Sequence, residues 1–261
     1  MQISSFNSLN EIFFLQCEKY QKEDHLFFNN LNLKKFQTYT WSDTTNNVLK
    51  LAKFLNKKNI SKGDRVLLVS ENRPEWFIAD LAILLNSAIT VPNYTTYTVN
   101  DFAFTINDCK PSGLIVSTPQ LLKNILLAAK KINYNFNFII LLNQANEDVA
   151  DNTIDFSTVI ENKIDIEETK TFFKRINKSL TRKDPACIIY TSGTQGTPKG
   201  VVLSHGGILK NCEGALEFLY FIKKKTKYFS YLVAVISFLR AYSSICSIKP
   251  RSKNILFGKF R

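Results

Sequence analysis

The chain is short of several residue types, and each shortage removes a class of function. It has two histidines, His25 and His205, and five cysteines, Cys17, Cys109, Cys187, Cys212 and Cys246, none of them in a Cys-x-x-Cys pair. Ligand clusters with zinc spacing are therefore missing, and no Ser–His–Asp arrangement can be argued from two histidines so placed. The cysteines read as reduced thiols in a cytoplasmic protein. The N-terminal stretch MQISSFNSLNEIFFLQC lacks a basic start, and its apolar run is too short for a signal peptide. Internal repeats and low-complexity blocks are also missing. Glycine is scarce, with nine in 261 residues, yet three of them fall within the eleven residues Tyr190 to Gly200, YTSGTQGTPKG. Acidic residues disappear altogether after Glu217.

What remains describes a core-forming globular protein: 45% hydrophobic, 13% aromatic and 21% charged. The net charge of +12 is unevenly spread. Residues 1–217 carry 24 Lys and Arg against 22 Asp and Glu, whereas residues 218–261 carry ten basic residues and no acid. The body is nearly neutral, and the tail alone makes the chain basic.

Along the body, short apolar runs alternate with amphipathic stretches. An opening helix is expected over Leu9–Tyr20, followed by two extended runs, HLFFNN and KFQTYTW. A helix capped by Ser42 follows, with Val48, Leu49, Leu51, Ala52, Phe54 and Leu55 on one stripe. GDRVLLVS reads as a buried strand and RPEWFIADLAILLN as a helix with Pro74 in its first turn. AITVP, SGLIVS and NFIILL are further strands. Between them lie helices over TVNDFAFTIND, with capping-box spacing at Thr98 and Asp101, and over TPQLLKNILLAAKKI. Asn143 to Asp155 reads as an exposed acidic loop, and two shorter helices are expected around Phe156–Asp165 and Glu167–Ser179. Strands and helices in this order predict an α/β fold, mostly parallel sheet with helices on both faces. Among single residues, His25 is expected at the surface. His205 reads equally as a pocket residue or a locally bonded helix-entry residue. Arg73, Glu75 and Trp76 read as structural, as do Tyr94, Thr95 and Thr96.

The strand DPACIIY delivers the chain into YTSGTQGTPKG, and KGVVLS after it reads as another strand. Small residues in such a loop allow successive backbone N–H groups to turn toward one anion. The hydroxyls of Thr191, Ser192, Thr194 and Thr197 add donors, Gly193 and Gly196 permit close approach, and Lys199 supplies a charge. Each hydrogen bond to a charged group contributes about 1.5–3 kcal/mol, so several could hold a polyphosphate. Neither the Walker A pattern nor Gly-x-Gly-x-x-Gly is present. A glycine-rich hairpin with no ligand would have the same composition.

YTSGTQGTPKGVVLSH closely resembles the phosphate-binding signature of the adenylate-forming enzymes, which include acyl-CoA synthetases, luciferases and peptide-synthetase adenylation domains. GDRVLLVSENRPEWFIADLAILLNSAITVPNYTTYT and the residues after it resemble the N-terminal part of long-chain fatty-acid–CoA ligases. The resemblance implies that residues 1–217 are part of the large N-terminal domain of such an enzyme. It implies ATP, Mg2+ and coenzyme A as cofactors and co-substrates, with a fatty acid activated first to an acyl-adenylate and then to the thioester. Thr191, Ser192, Gly193, Thr194, Gln195, Gly196, Thr197 and Lys199 would hold the phosphates. Gln195 stands where the family most often has Thr, Ser87 where Gly is usual, and Asn93 where an apolar residue is usual.

The family's later motifs, an aromatic-Gly-x-Thr-Glu segment, a Thr-Gly-Asp segment and a small C-terminal domain with a catalytic lysine, do not occur in this chain. Residues 218–261 admit three readings. As a membrane anchor, the nine Leu, Ile, Val and Phe residues of 228–248 favour insertion by about 3–5 kcal/mol, and Arg240 opposes it by about 3 kcal/mol. As a basic arm contacting a membrane surface or nucleic acid, the segment carries no recognisable nucleic-acid motif. A frameshift would account for the charge jump and the loss of resemblance together, and it is the preferred expectation.

Overall fold

Strands buried on both sides must be apolar throughout, and helices covering them need only one greasy stripe; the middle of the chain supplies both in alternation. The computed structural model describes residues 3–30, 35–143, 152–192 and 198–222. After a 3-10 turn at Ile3–Ser5 come α1 (Leu9–Lys19), the antiparallel pair β1 (Asp24–Asn30) and β2 (Lys35–Thr40), and α2 (Trp41–Lys57). Then follow β3 (Arg65–Val69), α3 (Pro74–Leu85), β4 (Ile89–Asn93), α4 (Val99–Cys109), β5 (Gly113–Val116), α5 (Pro119–Lys131) and β6 (Phe138–Leu141). The remainder is β7 (Thr153–Asp155), α6 (Phe156–Glu161), α7 (Ile166–Asn177), β8 (Pro185–Ser192), β9 (Pro198–Ser204) and α8 (His205–Ile222).

Seven strands form one sheet in the order β7-β6-β5-β3-β4-β8-β9, parallel except for the antiparallel β8–β9 pair at one edge. One face packs Val66, Leu68, Ile115 and Ile140 against α1, α2, α3 and α7. The other packs Leu67, Val69, Leu114 and Val116 against α4 and α5. The expected α/β architecture with helices on both faces is what the structure shows.

Buried amides tie the first face together. Asn10 on α1 donates to the carbonyl of Leu84 (2.7 Å) and to the side-chain oxygen of Asn177 on α7, and Asn177 donates onward to the carbonyl of Leu85 (2.8 Å). On this same face, β5 opens with a glycine for a steric reason. A Cβ at Gly113 would lie 2.1 Å from the Phe138 ring on the neighbouring β6.

Local chemistry corrects several sequence expectations. Helix α2 is capped two residues earlier than expected: Thr40 accepts from the Asp43 N–H (3.1 Å) while Asp43 accepts from the Thr40 N–H (3.0 Å). Ser42 therefore sits inside the helix. The reciprocal Thr–Asp box satisfies two orphan donors, where Ser42 alone would satisfy one. The capping box of Thr98 and Asp101 is present as expected. The stretch Asn143 to Asp155 is not all loop, because Thr153–Asp155 pairs with β6 as edge strand β7; residues 144–151 lie outside the described residues.

His25 is buried rather than at the surface. Its ring stacks on Trp41 with centroids 3.6 Å apart and meets the edge of Phe77 at 5.2 Å. Burial lowers its pKa from 6.5 to about 3. The neutral ring is the folded form, so stability from this group is complete above pH 6.5 and is lost as pH falls toward 3. Between those limits we expect a loss of about 1.4 kcal/mol per pH unit from His25. Urea midpoints measured from pH 7 to pH 4 should fall in the wild type and fall less in His25→Phe.

Ser87 explains one departure from the family pattern. It turns the chain from α3 into β4 with φ 56°, its N–H donating to Leu84 O (2.8 Å) and its carbonyl accepting from Gly63 N–H (3.1 Å). Glycine holds that left-handed conformation without steric cost. Ser87→Gly should stabilise the fold by about 0.5–1 kcal/mol, since relief of a penalty of about 1–2 kcal/mol outweighs the added freedom of the unfolded chain. A raised denaturation midpoint with an unchanged m-value would register it.

Candidate functional site

Strand β8 rises through the sheet beside β4, leaves at its carboxyl end, and returns as β9. Gly193, Thr194, Gln195, Gly196 and Thr197 lie outside the described residues, and of Ser192 the backbone alone is described. The two residues that flank the turn on the described strands, Thr191 and Lys199, are direct partners across the β8–β9 ladder, with Ser192 opposite Pro198 beyond them. Opposed residues of an antiparallel pair share a face with Cβ atoms about 4.5–5.5 Å apart, so the hydroxyl and the ammonium emerge together. Both are exposed. A strand–turn–strand connection at the carboxyl end of a parallel sheet is where α/β folds meet their ligands.

Tyr190, one residue before Thr191, fixes the base of the hairpin. It is buried on the opposite face, where its hydroxyl donates to Asp108 on α4 at 2.5 Å. Its ring stands edge-on to Phe104, with centroids 6.1 Å apart. Burial first, and then the bond to the Asp108 carboxylate, push its pKa up. Gly200 is the partner of Tyr190, and a Cβ there would come within 3.2 Å of the Tyr190 ring and 3.1 Å of Ile188. The glycine lets β9 lie close over the tyrosine. Sequence reading placed Tyr190 in the signature without a role; the signal available was its position at the end of a buried strand. A cleft of about 340 Å³ opens beside this tyrosine, lined by Arg65, Asp108, Cys109, Tyr190, Gly200 and Val202. Thr191 and Lys199 are not part of that lining.

The end of β9 is also anchored. Ser204 caps the entry to α8 by accepting from Gly207 N–H (3.1 Å), and a Cβ at Gly206 would press 2.7 Å from the carbonyl of Arg182. His205 is buried, and its Nδ1 accepts from the backbone N–H of Leu9 at 3.3 Å. Its bond is structural, as one of the two readings had it, but it is long-range: it pins α1 to the start of α8. Arg73, Glu75 and Trp76 open α3, as expected, with the Arg73 Nε paired to Glu75 at 2.7 Å. Tyr94 and Tyr97 pack on each other at 5.3 Å between centroids. The four described cysteines are buried, and burial raises the Cys17 thiol to about 12 and the Cys109 thiol to about 11. Among the described residues no helix is long and apolar enough to cross a membrane. Residues 223–261, with most of the basic segment, lie outside the described residues.

Comparison with known proteins gives a consistent picture. The model of a family described as AMP-binding enzyme matches residues 13–260, a span that includes nearly all of the basic segment. A long-chain-fatty-acid–CoA ligase of Bacillus subtilis is 27% identical over 243 residues, covering 85% of this chain and 42% of the relative. Long chain acyl-CoA synthetase 8 of Arabidopsis thaliana is 26% identical over 221 residues, covering 84% of this chain and 30% of the relative. Among solved structures, acetoacetyl-CoA synthetase from Streptomyces lividans superposes with a TM-score of 0.68 at 18% identity, covering 80% of this chain and 32% of that one. The chain thus spans less than half the length of these relatives.

Proposed function

The chain belongs to the AMP-binding enzyme family, and from that premise we propose that it is built for ATP-dependent activation of a long-chain fatty acid. In this reading the carboxylate attacks the α-phosphate of Mg-ATP, pyrophosphate leaves, and the acyl-adenylate passes its acyl group to the thiol of coenzyme A. Mg2+ arrives as part of the nucleotide substrate. The observation that carries the reading is the signature loop, which leaves the carboxyl end of β8 with Thr191 and Lys199 paired at its two flanks. Residues Thr191 to Thr197 would turn donors toward the β- and γ-phosphates, and Lys199 would offset the charge that builds on the departing pyrophosphate. Those contributions are positioning and electrostatics, which need no covalent step from the protein. The fatty-acid preference is supported by the two long-chain ligases at 26–27% identity.

Fatty-acid-dependent exchange of labelled pyrophosphate into ATP tests the proposal on the purified chain. Exchange with palmitate and none with acetate or benzoate is the expected pattern. Retained ATP binding without exchange would point to the second reading, a nucleotide-binding chain without catalysis. Neither binding nor exchange would overturn both.

A further inference from the structure

The carboxyl edge of the sheet holds a second set of polar groups, separate from the hairpin loop. From β3 the chain moves to β4 on one side and then crosses back to β5 on the other, so β3 and β5 flank a topological switch point. Open α/β sheets take their ligands at such points. Ser117, the residue after β5, lies at this one. Its N–H donates to Val69 O at the end of β3 (3.0 Å) and its carbonyl accepts from Asn143 N–H (3.0 Å). Ser117 is fully buried, yet its Oγ has no hydrogen-bond partner among the described residues. Strand alternation puts its side chain on the face of Ile115, which packs with α3.

Helix α3 begins over this same edge. Its N-cap, Arg73, offers no side-chain hydrogen bond to the first-turn N–H groups, and Pro74 opens the helix. The Arg73 Nη1 instead reaches Asn143 Oδ1, at 2.6 Å, beyond the end of β6. Since β5 lies between β3 and β6, the arginine side chain crosses the end of β5, where Ser117 lies.

We propose that a crevice at this switch point is an anion site for a phosphate group, held by the Ser117 hydroxyl, the first-turn N–H of Glu75 on α3 and the terminal nitrogens of Arg73. The anion would replace Asn143 Oδ1, a neutral acceptor, as the partner of Arg73, and charge-assisted bonds of that kind are the stronger ones. The positive end of the helix adds to the attraction. Glu75, paired to the Arg73 Nε, offsets part of the field, so affinity in the millimolar range is expected. The proposal stands independently of the ATP reading, because none of its residues belongs to the hairpin loop.

Inorganic phosphate is the probe, titrated against chloride at equal ionic strength and followed by thermal melting and by the backbone amide signals of Glu75 and Ser117. Both signals should shift, and the rise in Tm should persist in Lys199→Ala, which disables the loop. Phosphate affinity should weaken about tenfold in Ser117→Ala through loss of one hydrogen bond to a charged group. Arg73→Gln, at a part-exposed position, carries the same expectation should Ser117→Ala fold poorly. The idea is overturned if the two amides do not respond, if the response vanishes in Lys199→Ala, or if both crevice variants bind phosphate as the wild type does. Titration with AMP in parallel identifies the source: tighter binding than inorganic phosphate, with the same sensitivity to Ser117→Ala, assigns a phosphomonoester, and weaker binding assigns the free ion.

Discussion

Lys199→Ala should lower fatty-acid-dependent ATP–pyrophosphate exchange by about 10²- to 10³-fold, the range seen when one preorganised group is withdrawn from a developing negative charge. The lysine is exposed at one flank of the hairpin turn, opposite Thr191, so its removal opens no cavity in the core. Thermal stability should therefore stay close to that of the wild type while ATP use collapses. Lys199→Arg should recover part of the activity, because the charge is kept and only its reach and shape change. If the chain binds ATP without exchanging it, the same substitution should weaken nucleotide affinity, read by equilibrium titration. An ATP dependence unchanged by Lys199→Ala would remove the loop from the mechanism.

The largest effect on folding is expected at Gly113. Alanine there would place a methyl carbon 2.1–2.6 Å from three atoms of the Phe138 ring. The ring cannot swing away, because Phe138 is fully buried and its ring stands edge-on to Phe54, with centroids 6.4 Å apart. Relief must come from separating β5 from β6 or from displacing Phe54, and overpacking of that kind costs about 3 kcal/mol or somewhat more. Equilibrium unfolding in urea would measure it. The double variant Gly113→Ala, Phe138→Leu should recover much of the loss, which identifies the ring as the obstacle.

The fold was legible in the sequence because the alternation of buried strands and one-sided helices is a strong local signal. The runs RVLLV, GLIV and FIIL became β3, β5 and β6. What escaped were features decided by distant partners. His25, in a run that alternates weakly, is buried because Trp41 and Phe77 happen to flank it. His205 answers to Leu9, at the far end of the chain. Thr153–Asp155 looks like loop by composition and becomes strand β7 because β6 presents an open edge. The proposal for the loop rests on its residue types, since a phosphate nest would depend on them more than on tertiary context. The role of Tyr190 was not legible, because it depends on where α4 places Asp108.

The outer strand of the sheet has a consequence for handling the protein. Among the described residues β9 has a neighbour on one side alone, and Val201 and Val202 are 43% and 57% exposed. A strand in that position offers a ladder of hydrogen-bonding groups to any passing chain, and a lysine on it is a usual deterrent to such self-association. Lys199 is the charged residue of β9. The side chain assigned to the phosphates thus also guards the edge, and Lys199→Ala should sediment as larger species than the wild type as concentration rises.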